Sequence, residues 1–391
     1  MRSIALALFA LTLATPALAG PLDPPTGPVT STGKTLTEVE PRIAINSANT
    51  PGDTDATPCL FKITQPGSYY LTGNVTGVIN KSGIEVAASN VTIDLNGFEL
   101  VGVTGTASVH GIYATGTGLT NISVRNGTVR NWVGYGVNLS PTLVSRGEVR
   151  GVRSDSNATG GFFLHSYFNV TDCSAASNNG IGFFAVNSCN FSRCTAAGNV
   201  GNGFATSGGH TLTECVSYGS TAGAGFQCGT ETTMRDCSSH NNAGVGVFVG
   251  TGSTVSGCTV RSNAGVGIAA TGATYIHHNS CTANGVGANG AGISISGANA
   301  RVENNHCAEN ARGIETSSTR ARIDGNSCVS NGVSFVINGT DNLVIRNTAS
   351  GGSPNYSIAA GNSVAPRVGV EDSDGWAGIT NANHPWANFG H

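Results

Sequence analysis

Charge is scarce in this chain. Only 10% of its 391 residues are Asp, Glu, Lys or Arg, and the formal net charge is −3. A field that weak and of that sign excludes a nucleic-acid binder, which needs clustered Lys and Arg to displace the counterions of the phosphate backbone. Sustained apolar periodicity near 3.6 is also missing, which excludes helical repeats and bundles. After the first twenty residues no apolar run is long enough to span a bilayer as a helix, so membrane insertion is not expected. Disorder usually combines high charge with little apolar content; here 39% of residues are hydrophobic, enough for a packed core.

Glycine is abundant, at 56 residues, and suits tight turns and closely stacked backbones. Residues 1–19 read as a secretory signal peptide: Arg2, an apolar run over 4–13, and the small-residue site Ala17-Leu18-Ala19. An exported, secreted protein is the expectation, extracellular or periplasmic. Residues 20–59 are rich in Pro, Thr and Gly and read as an extended arm, with a short candidate helix at 34–45. FKITQPGSYYL (61–71) reads as a strand, a Pro-Gly turn and a strand. The tail, 364–391, carries Glu371, Asp372, Asp374, Trp376 and Trp386 and reads as a cap, with sugar stacking a second role for its tryptophans.

Between arm and tail the sequence repeats. GFFLHSYFNVTDC (161–173), GFFAVNSCNFSRC (182–194), GFATSGGHTLTEC (203–215), GFQCGTETTMRDC (225–237) and GVFVGTGSTVSGC (246–258) share one template. Each has an apolar residue opening its second strand. The series runs Ile93, Val124, Val149, Val170, Phe191, Leu212, Met234, Val255, Ile276, Val302, Ile323, Val344. Successive members are 21 or 22 residues apart, except for gaps of 31, 25 and 26. Short β-branched runs, Gly and Asn turns and this period predict one turn of a parallel β-helix per repeat, about twelve coils over 60–363, at ~4.8 Å per coil. Positions one coil apart then form columns. An Asn column (Asn178, Asn199, Asn242, Asn263, Asn284, Asn310, Asn331) suits left-handed corners and bonding along a ladder.

Eight of the eleven cysteines recur once per repeat. That pattern fits a buried stack of thiols, with some bridged pairs as the alternative. His210 falls on an inward column, and Phe162, Phe163, Phe183, Phe184, Phe204 and Phe226 read as core stack.

The template resembles the right-handed parallel β-helix proteins of the pectate-lyase-like superfamily over roughly residues 60–360. The opening GPLDPPTGPV and the ending HPWANF are similar to secreted bacterial members without assigned activity. The resemblance implies an all-β, right-handed helix of three sheets. It also implies contact with a polysaccharide or cell-surface glycan, through lyase, hydrolase, epimerase, depolymerase or adhesin function. The paired-Asp and Arg-x-Lys pattern of polygalacturonases is absent, His110-Gly111 matches their His-Gly only as a dipeptide, and the acidic calcium cluster of pectate lyases is not seen.

Catalysis on such a rod needs outward side chains from neighbouring coils. IHHNSC, VENNHC and IDGNSC place His277, Glu303 and Asp324 one residue after their anchors, in one column. Imidazole beside carboxylates suits acid–base work on a uronate, as a lyase or epimerase, or a divalent cation such as calcium. His278, His306 and Arg193 are the candidate substrate-binding residues, and the insertion 284–291 is a candidate wall. An outward column of Asp172, Arg193 and Glu214 reads chiefly as cross-strand ion pairing. The other class of reading is a non-catalytic rod for adhesion or interaction.

Overall fold

The computed structural model describes residues 39–55, 58–105, 107–141, 143–287, 290–369, 381 and 383–391. The chain packs as two units, 1–41 and 42–391, and the β-structure belongs to the second. The signal segment 1–19, most of the arm and Trp376 lie outside the described residues.

The repeat folds as a parallel β-solenoid. A typical coil contributes three strands, as in Gly160–Ser166, Asn169–Thr171 and Ser174–Ala176. The first joins a fourteen-stranded sheet; the other two lie in a twenty-eight-stranded sheet. The anchor series is in register: Ile93 pairs with Val124, Val149 with Val170, Ile276 with Val302, and Ile323 with Val344. It extends beyond the twelve members read from the sequence, to Tyr69 and Ile43 at one end and Val364 at the other, giving fifteen turns. The stretch FKITQPGSYYL is no hairpin: Cys59–Ile63 joins the smaller sheet and Gly67–Tyr70 the larger. Of the candidate helix, Ile43–Ala44 is a strand paired with Tyr69 and Tyr70. At the far end Asn388–Gly390 pairs with both Thr348–Ser350 and Arg367–Gly369, so the tail supplies a rung of the large sheet.

Inside, like stacks on like. Phe162, Phe183, Phe204 and Phe226 are fully buried, with centroids 4.7–4.8 Å apart and rings within 10° of parallel. All eleven cysteines are buried and unbridged. They form two main columns. Cys173, Cys194, Cys215, Cys237 and Cys258 occupy one corner, which Asn279 and Asn305 then continue. Cys281, Cys307 and Cys328 stack on the next strand. Burial pushes the Cys228 thiol up to about 12 and Cys189 to about 11, so they stay protonated. The thiols donate to carbonyls, Cys173 to Val149 and Cys194 to Val170, each at 3.4 Å.

The corners carry strained backbone. In one coil Tyr167, Asp172 and Ser177 have φ of 60°, 56° and 53°. A left-handed L-residue costs about 1–2 kcal/mol. Each of these corners keeps its N–H bonded to the next coil, at 3.1, 3.1 and 2.9 Å, which offsets that cost. The Asn ladder departs from the sequence reading in one respect. The left-handed residue is the one before it (Ser177, Ser262, Ser330), and the Asn is the buried bonding element. Asn178 Oδ1 accepts from both Asn157 N and Asn157 Nδ2, at 2.9 and 3.0 Å, while its own amide donates to Ser154 O at 2.9 Å.

The ladder also explains the glycine that opens each repeat. A Cβ on Gly246 would lie 2.6 Å from Asn263 Nδ2 and 2.7 Å from Gly267 O. Gly246→Ala is therefore expected to lower stability by about 2–3 kcal/mol, read as a shift of the denaturation midpoint. For the thiols, a disulfide reagent on the native protein is expected to find none of the eleven cysteines, and all of them in concentrated guanidinium.

Candidate functional site

The strands Tyr275–His277, Arg301–Glu303 and Arg322–Asp324 stack in register, so that His277 pairs with Glu303 and Glu303 with Asp324. Each strand is three residues long with its middle residue, Ile276, Val302 or Ile323, fully buried. Alternation then turns the two outer residues of every strand to the same outside face. One outward column is His277, Glu303, Asp324; beside it runs Tyr275, Arg301, Arg322.

The sequence reading missed this second column, and the second column changes the chemistry. Arg301 holds Glu303 through two nitrogens, at 3.0 and 2.7 Å, and Arg322 holds Asp324 likewise, at 3.0 and 2.7 Å. Arg322 also reaches Glu303 at 3.3 Å, and Arg346, from the next coil, grips Asp324 with two nitrogens. Glu303 and Asp324 are only 8% and 3% exposed, a burial tolerable because guanidiniums compensate both charges. Burial tends to raise the Asp324 pKa, but the bonds from Arg346 and Arg322 outweigh it and hold the carboxyl below its ordinary value. Three guanidiniums face two carboxylates, so the ladder carries a surplus positive charge.

Aromatic rings close it at both ends. Tyr275 donates its O–H to Glu303 at 3.1 Å, lies under the Arg301 guanidinium, and stacks on His277 at 4.1 Å. Arg346 lies 5.1 Å over the ring of Trp386, which is 45% exposed. Arg322, Leu343, Ile345, Val364, His384 and Trp386 line a cleft of 460 Å³. Burial lowers the His277 pKa, helped by the neighbouring His278, and burial and the bond to Glu303 raise that of Tyr275. At neutral pH the pair is a neutral imidazole beside a protonated phenol. His277 Nδ1 meets His278 Nδ1 at 2.8 Å, which leaves Nε2 for chemistry.

The remaining candidates separate. His278 is at the corner beside His277, with φ 57°. His306 opens the next strand, past the corner, in register with Ser280 and Ser327. Arg193 is four coils earlier and ion-paired to Asp172 at 2.7 Å, so it belongs to the corner ladder with Asp172 and not to this face. The signal for the missed arginines was present: Arg-x-Glu at 301–303 and Arg-x-Asp at 322–324 are same-face pairs at strand period two.

A calcium ion does not fit here, because the carboxylate oxygens are already engaged: those of Glu303 by the Arg301 and Arg322 guanidiniums and the Tyr275 hydroxyl, those of Asp324 by Arg322 and Arg346. Among the described residues one other set of ligand-type groups converges, Asp53, Cys59 and Glu85, within 4.8 Å. Lys62 Nζ bonds Asp53 at 2.5 Å and Glu85 at 2.9 Å, supplying the positive charge itself. Burial pushes the Cys59 thiol up to about 12, which disfavours the thiolate a metal requires.

The family described as "Right handed beta helix region" matches residues 204–327. No curated protein matches the sequence. Among solved structures, the chain is similar to the A-module of the Azotobacter vinelandii mannuronan C-5 epimerase AlgE6, with 17% identity, 77% of this chain and 91% of that chain covered, and a TM-score of 0.60. The AlgE4 A-module of the same organism gives 17% identity, the same coverages and a TM-score of 0.51. At these identities the likeness is one of fold. The chain has the right-handed parallel β-helix fold.

The burial of His277 carries an expectation. Its imidazole should titrate below the ordinary value of 6.5, followed by NMR with the His277→Gln spectrum as assignment. A lowered pKa keeps the ring neutral, and available as a base, throughout the neutral range.

Proposed function

We propose that this is a secreted protein that binds and processes an acidic extracellular polysaccharide along the face from Tyr275 to Trp386, by uronate lyase or epimerase chemistry. The observation that carries the reading is the ladder of Arg301, Arg322 and Arg346 with a surplus positive charge, bounded by the half-buried ring of Tyr275 and the exposed ring of Trp386. Guanidinium forks match carboxylates bidentately, and ring faces pack against sugar rings. Four coil steps separate Tyr275 from the rung of Trp386, roughly 19 Å, room for several sugar units.

The chemistry follows from the same groups. A guanidinium that neutralises the uronate carboxylate lowers the cost of removing the proton α to it. Neutral His277 takes that proton through Nε2, and the electron pair moves into the carboxylate as an enolate. A proton delivered to the opposite face by solvent water, with His277 releasing its own proton back to solvent, completes an epimerase cycle. Loss of the 4-oxygen, protonated by the Tyr275 hydroxyl, completes a lyase cycle instead.

The test is incubation with a polyuronate in deuterated water. Incorporation of deuterium α to the carboxylate, or absorbance from an unsaturated uronate, is expected for the native protein. His277→Gln should reduce the rate by about 10²-fold or more, and Arg346→Gln should weaken binding by about ten-fold. Binding without exchange or elimination would favour the non-catalytic rod, and absence of both would sink the reading.

A further inference from the structure

A second cleft lies about seven coils away on the smaller sheet, near the N-terminal end. It has a volume of 490 Å³, and its lining includes Ser82, His110, Tyr113, Thr115, Asn138 and Pro141. Tyr113 and Asn138 of that lining belong to one column of the sheet, in which Lys62 pairs with Glu85, Glu85 with Tyr113, and Tyr113 with Asn138.

The polar groups here are oriented from behind. Glu85 is only 2% exposed. It receives the hydroxyl protons of Tyr113, at 2.8 Å, and Thr115, at 2.5 Å, besides the ammonium of Lys62 at 2.9 Å. The Thr115 hydroxyl, its proton committed to the carboxylate, presents acceptor lone pairs on its other side. His110 is held from two sides. Its Nδ1 accepts the Tyr135 N–H at 2.9 Å, and its Nε2 meets the Asn138 side-chain nitrogen at 3.1 Å. Burial lowers its pKa to about 4, which keeps that ring neutral at ordinary pH. Among the described residues the lining thus offers donors and acceptors and no cation. Of the lysines nearby, Lys62 is ion-paired to Asp53, Asp55 and Glu85, and Lys81 bonds the Asp53 carbonyl.

From the cleft a line of rings runs along the solenoid axis. His110 and Tyr135 are 6.2 Å apart, Tyr135 and Phe163 5.3 Å, and Phe163 and Phe184 4.7 Å. All four rings are half-buried. Phe163 and Phe184 were read from the sequence as core, with Phe162 and Phe183. The core rings are fully buried on the inside, whereas Phe163 and Phe184 stand on the outward column one residue later. Hydroxyl-matching polar groups next to a ring platform, with anionic rather than cationic support, are chemistry for an uncharged sugar chain. A uronate would meet the Glu85 charge with no guanidinium to balance its own.

We propose that this cleft and ring track form a binding site for a neutral oligosaccharide, its end held by His110 and Thr115 and its following units stacked on Tyr135, Phe163 and Phe184. The site is separate from the arginine ladder, and it stands whether or not that face processes uronates.

Calorimetric titration tests it, with cellohexaose, laminarihexaose, mannohexaose and xylohexaose as probes and a hexauronate as the charged control. At least one neutral hexaose is expected to bind, and its monosaccharide to bind much more weakly. Phe163→Ala, an outward position whose loss spares the core, should weaken the hexaose about five-fold. Thr115→Val should weaken it too, while Arg346→Gln leaves it unchanged and excess hexauronate does not displace it. Failure of every neutral hexaose to bind would overturn the proposal. So would affinity indifferent to both Phe163→Ala and Thr115→Val, or displacement by the hexauronate. Each of these results is read independently of the deuterium-exchange outcome at His277.

Discussion

The structure depends on one constraint: every coil must hydrogen-bond to the next in parallel, with no slip. Slippage of one residue would turn each inward side chain outward. The buried Asn ladders resist this: Asn178, for one, bonds its copy Asn199 one coil on and the Ser154 carbonyl inside the solenoid. Buried amides are costly without partners, so only the correct register satisfies them. The glycine opposite each ladder residue, the left-handed corners and the ring stack follow from the same spacing.

Strict register also decides what a site can be. Side chains one coil apart are neighbours, and side chains two apart on a three-residue strand share a face. The Arg-x-Glu and Arg-x-Asp strands combine both relations, which is why Glu303 is shared between Arg301 and Arg322 while Asp324 is shared between Arg322 and Arg346. The two faces differ in charge. Guanidinium outnumbers carboxylate on the ladder near Trp386, whereas a buried carboxylate underlies the cleft near His110.

Much of this was legible in the sequence, because repetition makes register visible. The anchor series Ile93 to Val344, the buried thiols and the column of His277, Glu303 and Asp324 could all be read from spacing. Three kinds of feature could not. The ends lack the steady period: Ile43, Tyr69 and Val364 stand 26, 24 and 20 residues from their neighbours in the series, so three turns went uncounted. Neighbour identity was overlooked within a strand, where Arg301 and Arg322 engage the carboxylates of Glu303 and Asp324. Adjacent residues with opposite fates were merged, as Phe162 with Phe163, because strand alternation was not applied to the aromatic pairs. Arg193 stands with Asp172 in the column that the charge spacing indicated, four coils before His277.

The central claim is that an acidic glycan lies along the ladder from Tyr275 to Trp386. Hydroxyl-radical footprinting with and without an oligouronate tests it directly, since the face carries oxidisable side chains. The account predicts protection of Tyr275, His277 and Trp386, with Tyr167 and Tyr218, which are exposed elsewhere on the solenoid, unchanged. Equal labelling of Tyr275 and Trp386 with and without the glycan, or protection centred on Tyr167 or Tyr218, would contradict it.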